Sequence, residues 1–120
     1  MEASTIMIFN EMHIDYPDLL TRLGNSESIA KKFLKRFIDD ETFTKITQAY
    51  DNHDYEELLR NVHSLKGVAG NLSMHKLYNI CNTWVMDLRA QNFQTSAQQY
   101  QQCFEEYHHI MKGLVEFFKE

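Results

Sequence analysis

The sequence predicts an all-α fold: an antiparallel four-helix bundle with one or two additional N-terminal helices. Three observations lead there. The 120 residues include only 4 glycines and 1 proline, too few for the many tight turns of a sandwich or barrel. Apolar residues make up 43% and aromatic residues 12%, enough to build one core in a chain of this length. Apolar positions also recur at helical spacing along most of the chain.

The elements follow in order. Pro17 fits a first-turn position, and Leu19, Leu20 and Leu23 make a short helix closed by Gly24-Asn25. Ser26 is placed to cap a second helix with apolar positions Ile29, Phe33, Phe37 and Ile38, and its Lys31, Lys32, Lys35 and Arg36 read as a solvated face. Asp40 is placed to cap a third, carrying Phe43, Ile46 and Tyr50. Asp54 with Glu57 reads as a capping-box-like start of a fourth helix, to Leu72. Ser73 is expected to cap a fifth, with Leu77, Tyr78, Cys81, Trp84, Val85 and Leu88. Thr95 with Gln98 is expected to open a long last helix with Tyr100, Cys103, Phe104, Tyr107, Met111, Leu114 and Phe118. Gln98, Gln99, Gln101 and Gln102 read as its solvated face. The chain is expected to be a single domain over 1–120, with covering helices at about 16–39 and the bundle at about 40–119.

Charge narrows the function. The formal net charge is −5, so no basic field is available and nucleic-acid binding as the main function is disfavoured. Cys81 and Cys103 are too few for a disulfide framework, and no apolar run approaches a membrane span. A cytoplasmic protein without direct membrane insertion is expected.

The fourth helix carries the chemistry. At about 100° per residue, with His63 at 0°, Leu58, Val62, Leu65, Ala69 and Leu72 fall between about 180° and 260°, an ordinary core stripe. Around His63 on the other side stand Glu56, Leu59, Arg60, Lys66, Gly67 and Gly70. A mid-helix glycine costs about 1 kcal/mol relative to alanine. Two of them on the side away from the core imply that something bulky must approach His63 closely. A neutral imidazole is a nucleophile, but a lone exposed one has no orienting acid and no oxyanion hole, so it is a poor hydrolase residue. It can accept a phosphoryl group from a partner that brings its own metal and carboxylates, with Lys66 as a mobile compensating charge.

The run His63-Ser64-Leu65-Lys66-Gly67-Val68-Ala69-Gly70-Asn71 resembles the signature of histidine-containing phosphotransfer (HPt) domains, roughly H-x-L-K-G-x-x-x-N with a small residue at the eighth place. The resemblance implies a four-helix bundle that relays a phosphoryl group between response-regulator receiver aspartates, or from a hybrid sensor histidine kinase. It implies His63 as phosphoacceptor, Lys66 as charge compensation and Gly67 as a steric gap. Gly67 and Gly70 are then access positions for the receiver, and Glu56, Leu59 and Arg60 a docking surface. No cofactor is expected in this chain, and magnesium is expected in the partner receiver domain. The family's common alanine before the histidine is Val62 here, on the core stripe.

Other readings are weaker. A non-catalytic bundle that binds a receiver or kinase without carrying phosphate would not need His63. An autonomous kinase would need a nucleotide-binding loop that is not present. His108 and His109 are adjacent and point about 100° apart, and His53 with Glu57 spans a helix cap, so no metal site is expected. Cys81, Cys103, Trp84, Phe104 and Tyr107 read as core residues.

Overall fold

The computed structural model describes residues 2–119. It holds seven α-helices and a short 3₁₀ turn, with no strand among the described residues. The helices are α1 (Ala3–Glu11), α2 (Tyr16–Arg22), α3 (Glu27–Asp39), α4 (Thr42–Asp51), α5 (Tyr55–Asn71), α6 (His75–Arg89) and α7 (Ser96–Phe117), the 3₁₀ turn being Phe93–Thr95.

Helices α4 to α7 form the bundle. The α7 helix is 22 residues long and α4 only 10, so α3 and α4 lie one after the other along it. Phe43 at the start of α4 stacks on Tyr107, and Tyr50 at its end stacks on Tyr100, so α4 runs antiparallel to α7. Phe37 near the end of α3 meets Tyr107, while Lys31 and Lys35 sit over Phe117 and Phe118. The core gathers the fully buried Leu58, Val62, Leu65, Leu77, Cys81, Trp84, Cys103 and Ile110 between the helices. Burying each leucine contributes about 1.5–3 kcal/mol.

The corners answer the shortage of glycine. His13, Asn25, His53, Ser73 and Gln91 all adopt a left-handed conformation, as does Gly24. After four of them the next amide reaches back five residues: Ile14 to Phe9, Asp54 to Ala49, Met74 to Ala69 and Asn92 to Asp87. This is the Schellman closure, made here with side-chain-bearing residues where glycine is usual.

Several details differ from the sequence reading. Helix α1 is absent from the expected elements. Its Ile6-Met7-Ile8-Phe9 run shows no polar face, and only Phe9 is buried. It makes three helices ahead of the bundle. Ser73 does not cap α6. It closes α5 at φ 56°, and its hydroxyl donates to Asp18 Oδ2 at 2.7 Å. The Thr95 hydroxyl donates to Asp87 rather than capping α7. Asp40 caps from one place further out, accepting from the Thr42 N–H at 2.8 Å. On α3 the buried positions are Ala30, Leu34 and Phe37, leaving Ile29 and Phe33 exposed. Gln99 is buried, not solvated, and donates to Asp87 Oδ2. Phe104 lies 39% exposed against His108 rather than in the core.

Candidate functional site

The local sequence of α5 sets the azimuth of His63. Asp54 accepts from the Glu57 N–H at 3.2 Å and starts the helix. Glu57 does not reach back to Asp54. It pairs with Arg60 and accepts from Asn61 Nδ2 at 3.0 Å. From that start Leu58, Val62, Leu65 and Ala69 all turn into the core. His63 therefore emerges on the opposite, exposed side. The histidine–carboxylate pairs among the described residues are His13–Glu106, His75–Asp15 and His75–Asp18, and His63 is in none of them.

His63 opens onto a cleft of about 420 Å³, lined also by Lys66, Gly67, Gly70, Asn71, Tyr78, Arg22 and His75. Lys66 is half-buried, with its ammonium 5.8 Å from the centre of the Tyr78 ring. That contact steadies the ammonium itself at the wall of the cleft.

The two glycines differ. A Cβ at Gly67 would have nothing within 4 Å, so the space beside His63 is open there. A Cβ at Gly70 would stand 3.2 Å from Tyr78 Cδ1. The expectation that both glycines face open space on the side away from the core is corrected at Gly70, where α6 leaves the turn and lays Tyr78 across the last turn of α5.

The other expected docking residues lie outside the cleft. Glu56 and Arg60 are exposed and weakly paired, 3.8 Å apart. Leu59 is half-buried and packs on the core. Arg22, His75 and Tyr78 line the cleft and are absent from the expected site residues, since they come from other helices, α2 and α6, that a wheel of α5 alone does not include. Beside the cleft, sharing Arg22 and Asn71 with it, runs a groove of about 580 Å³ floored by Leu23, Phe33, Phe37, Val68 and Leu72.

Chemically, the cleft offers an exposed imidazole, a nearby ammonium and an unobstructed approach. His75 on its wall is engaged by Asp15, Nε2 to Oδ2 at 3.0 Å. The Asp15–Asp18–His75 group brings three ligand atoms within 4.8 Å of one another, but Asp18 Oδ2 is already bound by Ser73 and Arg22. No helix among the described residues is long and apolar enough to cross a membrane.

A family model described as Hpt domain matches residues 33–114, well over half of the chain. No curated protein and no solved structure matches.

Proposed function

The chain belongs to the Hpt domain family, and from that premise we propose that it carries a phosphoryl group on His63, relaying it between receiver aspartates or from a hybrid sensor kinase. The single observation that carries the reading is His63 standing exposed beside a glycine whose missing side chain leaves open space.

The step balances without help from a base in this chain. A lone pair on one ring nitrogen forms the N–P bond. The P–O bond of the partner's aspartyl phosphate breaks, and its electron pair leaves on the aspartate carboxylate. The proton on the other ring nitrogen is then free to pass to water. Catalysis is positioning and charge compensation. Lys66 supplies charge from this side, and magnesium in the receiver supplies it from the other. The chain is thus a phosphocarrier rather than a kinase. The groove beside the cleft, with Phe33 37% exposed at its edge, gives the receiver apolar surface to cover.

The test is incubation with a phosphorylated receiver domain. One acid-labile, base-stable phosphate at His63 is expected. Phosphate found on another histidine would overturn the assignment.

A further inference from the structure

Lys66 is not the only cation at the cleft. Arg22 arrives from α2 and lines it together with His63, Lys66 and Gly67. Arg22 precedes the segment 33–114 matched by the family model, so it lies outside the pattern that identifies the family.

Its placement is built from several bonds. Arg22 Nε donates to Asp18 Oδ2 at 2.9 Å. The same oxygen accepts from the hydroxyl of Ser73, a fully buried residue in the turn that ends α5. The Asp15 N–H donates to the Ser73 carbonyl at 3.0 Å, and Asp15 Oδ1 accepts from the Asp18 N–H. Asp15 Oδ2 lies 3.0 Å from His75 Nε2. The start of α2 is thereby stapled to the far end of the helix that carries His63.

The Arg22–Asp18 pair itself does little for stability. Arg22 and Asp18 are 48% and 36% exposed, and a pair so open to water is worth little. Nor does it suit a cation. The oxygen a metal would need already faces a guanidinium, whose charge would repel it. What the network does is hold Arg22 by its Nε edge. The two terminal nitrogens stay available as donors, the fork geometry suited to phosphoryl oxygens.

We propose that Arg22 donates through its terminal nitrogens to the oxygens of the phosphoryl group on His63, sharing with Lys66 the charge compensation of the transfer, and that Asp18 is its positioning residue. This inference rests on His63 being the acceptor. Phosphoramidate separates the two, since it needs no partner: its P–N bond breaks, ammonia leaves, and a new N–P bond forms at the imidazole.

The full chain and the variants Arg22→Gln, Arg22→Lys, Asp18→Asn and His63→Gln are treated with potassium phosphoramidate and followed by ³¹P NMR. The signal absent from His63→Gln is the one assigned to His63. Arg22→Gln is expected to slow its appearance about 10-fold or more, to move its resonance and to leave the melting temperature unchanged. Arg22→Lys should recover part of the rate. Asp18→Asn should fall between, because the guanidinium remains but is no longer aimed. If Arg22→Gln labels at the wild-type rate with the wild-type resonance, the inference falls and the acceptor assignment stands. The inference falls in the same way if the loss in Arg22→Gln merely tracks a lowered melting temperature while Arg22→Lys and Asp18→Asn match wild type. If the wild-type chain gives no His63 signal, the acceptor assignment falls and takes this inference with it.

Discussion

The ring of Tyr78 lies across Gly70, so that a Cβ there would meet it at 3.2 Å, while the same atom on Gly67, one turn earlier, would meet nothing within 4 Å. Two glycines of one motif therefore do different work. Gly70 lets α6 come down onto α5. Gly67 leaves the flank of His63 bare.

Gly67→Ala is expected to raise stability by about 0.5–1 kcal/mol, because it removes backbone freedom from the unfolded chain and meets no neighbour. Gly70→Ala should gain less, or lose, since Tyr78 must shift to admit it. Gly67→Gln should melt no lower than wild type yet transfer phosphate poorly, because it fills the approach to His63. Thermal melts and transfer rates on the three variants check this. A Gly67→Ala protein that melts well below wild type would show that Gly67 serves packing.

His63→Gln should lose phosphate acceptance entirely and keep its helicity and melting temperature, since the side chain faces water. Circular dichroism and phosphate labelling on one preparation decide it.

Lys66→Ala should slow transfer about 10- to 100-fold at saturating receiver with little change in stability, because its charge matters chiefly while a phosphoryl group is present. Rapid-quench kinetics give the rate. An unchanged rate would leave Lys66 as an ammonium resting over the Tyr78 ring.

Acid should loosen the staple between α2 and the end of α5. The Ser73 hydroxyl, and then the Arg22 guanidinium, hold the Asp18 carboxyl below its ordinary pKa. A carboxyl lowered on folding contributes stability above its unfolded pKa and loses it as pH falls through the folded value. Ser73→Ala should bring the Asp18 titration back toward the ordinary carboxylate range and shift the loosening to higher pH. An NMR titration of Asp18 in both proteins reads it directly.

Gly113→Ala should destabilise. A Cβ there would stand 2.6 Å from Met12 Cγ, where α1 crosses α7. Overpacking costs about 1–3 kcal/mol, more than the gain of about 1 kcal/mol from alanine in a helix. Hydrogen exchange in Ala3–Glu11 should quicken along with the lowered melting temperature.

The α5 helix is readable from sequence because one helix wheel determines both its core stripe and the opposite side. Leu58, Val62, Leu65 and Ala69 are buried and His63 is exposed. Asp54 and Ser26 cap where a side-chain oxygen stands ahead of an amphipathic run. A wheel gives azimuth, but not what crosses overhead, so Tyr78 on Gly70 and Met12 on Gly113 stay hidden from it. Ser73 misleads because a serine between two helices suits an N-cap as well as a left-handed closure. Only the tertiary partner Asp18 decides between them. Arg22 reaches the cleft through the packing of α2, and His75 and Tyr78 through that of α6, for which the motif holds no signal.

The left-handed closures at His53 and Gln91 also govern where this chain could change length. A residue added in either turn lengthens a solvent-facing corner, and loop closure grows only slowly more costly with length. A residue added inside α5 between Leu58 and Val62 would turn everything before it by about 100° relative to everything after. Either Leu58 would leave the core or the later half, His63 with it, would rotate inward. Insertions and deletions among natural variants of this protein should therefore collect at the corners and spare the interior of α5, a pattern that sequencing of strains can check without any assay of phosphate.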